Sequence, residues 1–475
     1  MPAEGLCYLT AVEAINRFKA RSLSPVELMQ AIVKRCETVN PKLNAFTYTF
    51  YDRALERAHQ AELSYSLSGR NTRPLEGIPL VVKDSTAVKG EISTFGSKIY
   101  ADYRPDHTHP ALERLLEAGA IIIARTTMPE FGEAANCYTP LWGVTRNPWN
   151  LDYGPGGSSG GAGAAVAAGM TLLSDGSDIG GSIRIPAACC GLVGFKPPYG
   201  RNPNDALNTF DPYYQYGPIT RSVGDAALMQ NILSGHHVVD IGSLREKVVI
   251  PSNMFEIKGW KIAYSTDLGF YQVDNDVHNN MLQILDIFRS LGCSVEKVEL
   301  GWTEEVYEAW KTINAAHGSA ARRVKDLHAW RSQLGDYTIN ILDMGAKVDA
   351  GQIARALEVH VSMYRIMGPL LERYDLFVCP TNAIPSVEAD RSPLDLDMSI
   401  NSEPASRVTA EAWFMTYPFN MLGQLPVMNV PSGFASNGIP TGIQLVGRSY
   451  DDLRVFRAAA ALEREVQWHH WRPPI

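Results

Sequence analysis

The eight residues GPGGSSGG, Gly154 to Gly161, contain five glycines, one proline and two adjacent serines. A phosphate-binding loop would need a lysine after its last glycine, but Gly161 is followed by Ala162. A dinucleotide fingerprint is nearly matched by Gly161, Gly163 and Val166, yet the third glycine is missing and no clear strand precedes it. A floppy linker would not run directly into an apolar helix, and AGAAVAAGMTLL follows at once. The stretch therefore reads as a fixed turn that supports a serine.

Which serine is a separate question. Gly156-Gly157-Ser158-Ser159-Gly160 fits G-x-S-x-G, the nucleophile elbow of α/β-hydrolases, which would make Ser158 the nucleophile. That elbow follows a strand, whereas NPWNLDYGP, residues 147–155, is a turn-rich approach. It also needs a late histidine, and His469 and His470 fall in the C-terminal tail. Twenty-four residues beyond Ser158, SDIGGSIRIPAACCG places Ser182 after Ile179, Gly180 and Gly181. Successive amides in such a turn converge on an anion, so one segment supplies a serine and the donors for a tetrahedral intermediate. Asp178 and Arg184 flank it and are expected to pair and hold the loop.

The proton acceptor need not be histidine. Lys83 ends the apolar run IPLVV, either as an exposed strand terminus or as a buried amine. Burial disfavours the charged form, and a neutral lysine serves as a general base toward serine.

The surrounding chain alternates strand and helix from about residue 75 to 200, the mark of an α/β sheet with covered faces. Residues 1–70 read as helices, with Ser24, Pro25 and Glu27 forming a helix start. Residues 200–250 read as a surface excursion and 302–372 as mostly helical. LPVMNVPSGFASNGIPTGIQLVG reads as a hairpin turning at Asn437-Gly438. With no clear linker or repeat, one domain over 1–475 is expected.

Composition limits the partners. Of 475 residues, 45% are apolar, and 43 basic against 51 acidic side chains give a net charge of −8. Without a basic block, nucleic acid and anionic membranes are not expected partners. Seven scattered cysteines without a CxxC suggest neither disulfides nor a zinc site, so a reduced, cytoplasmic setting is expected. The N-terminus lacks the pattern of a signal peptide, and no apolar run reaches the ~18 residues of a membrane span.

The block GPGGSSGG, its spacing to SDIGGSIRIPAACCGLVGFKP and the upstream GIPLVVKD resemble the amidase signature family. PVELMQAIVKRCETVNPKLNAF near the start and FNMLGQLPVMNVPSG with GIQLVGR near the end extend the likeness over nearly the whole chain. The resemblance implies an α/β fold with a central mixed, twisted sheet covered by helices on both faces. It implies a Ser–Ser–Lys triad: Ser182 as nucleophile, Ser158 as bridging serine after a cis peptide from Gly157, and Lys83 as base. The amides of Ile179, Gly180, Gly181 and Ser182 would form the oxyanion hole, with Ser159 supporting the site by hydrogen bonding. The implied reaction is hydrolysis of an amide, or of an ester or carbamate, through an acyl-enzyme, without metal or organic cofactor.

MPEFGEAANCYTPLW, Met128 to Trp142, matches a loop that lines the substrate pocket in relatives. Phe131, Gly132, Tyr138 and Trp142 are therefore expected at the substrate, although core packing of the aromatics is an equal reading. Trp302, Tyr307 and Trp310, in the variable helical region 300–372, would form a lid, and Cys137 would touch the pocket. Some relatives are homodimers, which leaves a homodimer open here. The glutamyl-tRNA amidotransferase A-type subunit shares the triad but works with a partner. It typically has Gln after the arginine of its GGSIRQP segment, where this chain has Ile185, which favours a stand-alone hydrolase acting on a small molecule. A scaffold with a dead site would not keep all three triad residues.

Overall fold

The computed structural model describes residues 3–68, 72–205, 208–254 and 256–475, with the side chains of Ala3 and Ser68 left aside. Eleven strands form one sheet. They are β1 (Phe46–Thr49), β2 (Pro79–Lys83), β3 (Ile121–Thr126), β4 (Leu173–Asp178), β5 (Val193–Lys196) and β6 (Gln215–Thr220). The remainder are β7 (Lys261–Tyr264), β8 (Ser294–Lys297), β9 (Leu376–Pro380), β10 (Val427–Phe434) and β11 (Pro440–Val446). Their order is β1-β3-β2-β4-β6-β5-β10-β11-β9-β7-β8. The sheet is mixed: β3, β2 and β4 run parallel, as do β9, β7 and β8, while the strands between and β1 pair antiparallel.

Alternation along the strands shows why both faces are covered. Phe377 and Cys379 of β9 enter a cluster with Tyr307 and Ile313 from the helix Glu305–His317 and Met363 and Met367 from Ala350–Arg373. Leu376 and Val378 point the other way, to Ile284 and Phe288 of Asn275–Ser290 and Val455 of Asp452–Val466. Successive residues of a strand face opposite sides, so a sheet apolar at both sets of positions needs helices on both faces. The β1–β4 end is closed by the helix Pro25–Leu43, whose capping box joins Ser24 and Glu27 as the sequence indicates.

Two expectations need correction. Residues 1–70 are not wholly helical, because Phe46–Thr49 pairs with β3 as an edge strand; four residues between long helices carry too short a pattern to read. Residues 200–250 are not only a surface excursion, because Gln215–Thr220 lies fully buried between β4 and β5. Gly217 and Pro218 in that run argue against a central strand by their local chemistry, and sheet pairing on both sides overrides them. The turn at Asn437-Gly438 does join β10 to β11, with Gly438 at φ +80°.

All seven cysteines are buried free thiols. Among the described residues, no helix is long and apolar enough to cross a membrane, and no group of three or more His, Cys, Asp or Glu is placed to hold a metal ion.

Candidate active site

Lys83 is the last residue of β2, and its neighbour β4 runs parallel and ends at Asp178. The carboxyl ends of parallel strands are where open α/β sheets bind ligands. The Lys83 side chain is 1% exposed. Its Nζ lies 2.8 Å from Ser158 Oγ and 2.9 Å from Ser177 Oγ. Burial lowers its pKa to about 8, against the opposing pull of the Asp175 and Asp178 carboxylates and of Cys137. Asp175 also fixes the strand end, accepting the Lys83 backbone N–H at 2.7 Å and the Thr86 hydroxyl at 2.6 Å.

Ser158 follows an irregular approach and not a strand, and the Gly157–Ser158 peptide is cis. The helix Gly160–Ala167 starts immediately afterwards. Ser159 donates its backbone N–H to the Ser182 carbonyl at 3.3 Å, tying the two serine loops together. Its hydroxyl is buried without a hydrogen-bond partner among the described residues, so the side-chain support expected of Ser159 comes from its backbone instead.

Ser182 sits between β4 and the short helix Arg184–Cys189. It is 7% exposed, and its hydroxyl makes no hydrogen bond to any described residue. The backbone N–H groups of Ile179, Gly180, Gly181 and Ser182 likewise donate to no acceptor among the described residues. The loop that carries them is held from behind. Arg184 donates to both oxygens of Asp178, at 3.0 and 2.8 Å, and to Thr416 O, Gln444 Oε1 and Asn420 Oδ1. Asp178 and Arg184 pair as the sequence suggested, and the pair is fully buried. Burial pushes the Asp178 carboxyl up, but Arg184 and the Asn420 amide more than offset this and hold it below the usual range.

Two glycines in this loop are dictated by close approach. Gly180 lies under the Trp310 indole, and an added Cβ would come within 2.9 Å of Trp310 Cζ2. Gly181 has φ +131°, and its Cβ would fall 1.9 Å from Thr416 Oγ1. That same hydroxyl donates to the Gly180 carbonyl, which fixes the peptide plane between the two glycines. Gly181→Ala is therefore expected to displace the loop and, on the role proposed below for its amides, to lower kcat by at least ~100-fold. Steady-state kinetics on a purified, folded variant checks this; a change below threefold would mean the loop geometry is not needed.

Above the loop opens a cleft of about 370 Å³. Its walls include Ile185, Tyr307, Trp310, Tyr337, Trp413 and Phe414. Trp310 stacks on Tyr417 with ring centroids 4.9 Å apart and meets Phe414 edge-on at 5.7 Å. Polar groups rim it, among them Glu133, which accepts from the Asn314 amide and the Ala320 N–H, and the Lys311–Glu411 ion pair.

The substrate-loop expectations divide. Gly132 lines the cleft, and Phe131 faces a smaller chamber beside Ser158. Tyr138 and Trp142 lie outside the wall, because residues 138–139 and 143–144 pair in a small hairpin that turns them away. Trp142 donates its indole N–H to Thr94 and packs edge-on against Tyr48, and the Tyr138 carbonyl accepts the Tyr337 hydroxyl. Of the three aromatics expected to form a lid, Tyr307 and Trp310 line the cleft wall and Trp302 packs against Phe419 in the core; Cys137, expected at the pocket, is buried beneath Gly160. Sequence reasoning missed Ser177, which shares Lys83 with Ser158, and Thr416, which reaches the glycine loop from 236 residues away. Ser177 was findable from its place near the end of a strand beside the lysine strand; Thr416 carries no local signal.

A buried amine against a serine, beside a second serine among unpaired amides, is the equipment of a serine-type hydrolase that works without histidine. Residues 27–456 match the Amidase family, and the chain belongs to it. It is 34% identical over 478 residues to an acylamidase of Rhodococcus erythropolis, covering 100% of this chain and 98% of that protein. It is 30% identical to the A-type subunit of the glutamyl-tRNA(Gln) amidotransferase from Carboxydothermus hydrogenoformans, covering 99% and 100%. The crystal structure of a bacterial aryl acylamidase of the amidase signature family superposes with a TM-score of 0.89 at 32% identity, over 97% of this chain and 98% of that one.

Proposed function

We propose that this protein hydrolyses amides of apolar carboxylic acids through an acyl-enzyme on Ser182. The observation that carries the reading is the 2.8 Å contact between buried Lys83 and Ser158, on the wall they share with Ser182. Neutral Lys83 accepts the Ser158 proton, and Ser158 accepts that of Ser182 as Oγ attacks the carbonyl carbon. The amides of Ile179, Gly180, Gly181 and Ser182 take the developing oxyanion, which costs little reorganisation because no acceptor among the described residues engages them. The relay run backward protonates the leaving nitrogen, and water then hydrolyses the ester. No cofactor enters this scheme, and a cytoplasmic enzyme with a small-molecule substrate is the setting it suits. The acylamidase relative supports amide hydrolysis, and the aromatic cleft supports the choice of an apolar acyl group.

The lysine gives the reaction a pH dependence. Protonated Lys83 cannot accept a proton, so activity is low below its pKa and rises as pH passes through about 8. The profile of kcat/KM against pH, taken with an amide whose own ionisation is remote, is expected to climb tenfold per unit on its acid limb and level off above about 8. A profile flat from pH 6 to 9 would remove Lys83 from the role of base.

The alternative is an amidotransferase A-type subunit that needs a partner, a reading supported by the full-length likeness to such proteins. Against it, Ile185 faces the cleft where that type typically has Gln. Turnover of a panel of aryl and alkyl amides by the purified chain alone supports the hydrolase. Inactivity on the whole panel, with activity gained on addition of partner chains, supports the alternative.

A further inference from the structure

Two helices beside the cleft begin without a cap of their own. The helix Ser319–Arg323 starts after Gly318 and Asp336–Gly345 after Gly335, and a glycine has no side chain with which to hold the first free amides of a helix. Both starts are held instead by carboxylates of one short turn, Glu130 to Glu133. Glu133 accepts the Ala320 N–H at 2.9 Å on one oxygen and the Asn314 side-chain amide at 3.0 Å on the other. Glu130 accepts the Gly335 N–H at 2.7 Å and the Ser97 hydroxyl at 2.6 Å, and its own N–H donates to the Tyr337 hydroxyl at 2.7 Å. Asn314 lies on the helix Glu305–His317, which also carries Tyr307 and Trp310, and Asp336–Gly345 carries Tyr337, Ile341 and Met344. All of these line the cleft. The other side of the turn stands against the relay. Phe131 and Gly132 are both left-handed, at φ +52° and +80°, and a buried phenylalanine keeps that conformation only where its surroundings impose it. An added Cβ on Gly132 would lie 3.2 Å from Ser158 Oγ. One turn thus touches Ser158 on one side and is fastened on the other to the helices of the cleft wall.

We propose that Glu133 is a specificity-determining positioning residue: through Ala320 and Asn314 it ties the acyl wall of the cleft to the turn beside Ser158, and so converts the fit of a long apolar acyl chain into rate. The proposal rests on the hydrolase reading above, in which that chain lies in the cleft. Contacts remote from the scissile bond speed a reaction only when the wall that makes them holds a fixed place relative to the reacting groups. A loosely tied wall still binds the chain but lets the carbonyl settle in unproductive positions. An acetyl group has almost no chain to engage the wall and draws little from the tie. Glu133 is the carboxylate to test, because it is half-buried whereas Glu130 is fully buried and its loss would disturb the core.

The test keeps one leaving group and varies the acyl chain, using the p-nitroanilides of acetic and 4-phenylbutyric acid. Glu133→Ala is expected to lower the ratio of kcat/KM, phenylbutyryl over acetyl, at least ~10-fold, with the loss falling on kcat more than on KM. Glu133→Gln keeps an oxygen for the Ala320 N–H, and its NH₂ meets the Asn314 oxygen once that amide turns over, so its ratio is expected within ~3-fold of wild type. A ratio unmoved in folded Glu133→Ala, or a fall of both substrates by the same factor, overturns the proposal. So does a Gln variant as impaired as the Ala variant. Hydrogen exchange gives a readout without turnover: backbone amides of residues 318–323 are expected to exchange at least ~10-fold faster in Glu133→Ala than in wild type. Equal exchange would mean that Glu133 does not fasten the wall, which also overturns the proposal. A wild-type enzyme inactive on both anilides and unlabelled at Ser182 by a fluorophosphonate sinks the hydrolase reading and the specificity role with it. An active wild type with an unmoved ratio in the variant sinks the role of Glu133 alone.

Discussion

Ser182→Ala is expected to lower kcat by at least ~10⁴-fold while leaving the thermal midpoint nearly unchanged. The chemical half follows from the proposed mechanism, in which no acyl-enzyme forms without Oγ. The stability half follows from geometry. The Ser182 hydroxyl makes no hydrogen bond to any described residue, so its removal strands no buried donor or acceptor. Activity and melting measured on the same preparation separate the nucleophile from a residue that merely supports the fold. Activity that survives the substitution would move the nucleophile to Ser158, and mass spectrometry of a trapped acyl-enzyme would then find the adduct there.

The second large effect is on stability. Arg184→Met is expected to cost about 3–5 kcal/mol, because it leaves the Asp178 carboxylate buried without its cation. It also deprives Gln444, Asn420 and the Thr416 carbonyl of a donor. Denaturant unfolding should show the midpoint falling with little change in slope. Asp178→Asn combined with Arg184→Met should cost less than the sum of the single changes, since residues in one network are not additive. A loss under about 1 kcal/mol would mean that the pair is dispensable to the loop. The two substitutions, two residues apart, test different things: the first the proposed nucleophile, the second the buried ion pair that holds its loop.

What could be read from the sequence had short range. Ser24 with Glu27, the Asn437-Gly438 turn and the spacing of Ser158 to Ser182 are local patterns, and each has its counterpart in the structure. The strand Gln215–Thr220 was hidden because Gly217 and Pro218 speak locally against the pairing that neighbours on both sides impose. The cleft was only half legible. Tyr307 and Trp310 announced themselves as aromatics on one helix, whereas Trp413 and Phe414 come from a distant segment, residues 413–414. Tyr138 and Trp142 misled because an aromatic in a pocket-forming loop serves packing as readily as binding. Thr416 and Ser177 act through contacts that exist only after β2, β4 and the distant 413–417 segment have met.

The seven buried thiols have a practical consequence. Burial raises Cys7 and Cys293 to about 11 and Cys189 to about 12, and pushes Cys36, Cys137, Cys190 and Cys379 up as well. Thiol-directed reagents attack the thiolate, so the native protein presents them with almost nothing to modify. A single cysteine introduced on the surface would then be the one reactive thiol, and a fluorophore or spin label could be attached at the rim of the cleft without first stripping the natural cysteines from the core.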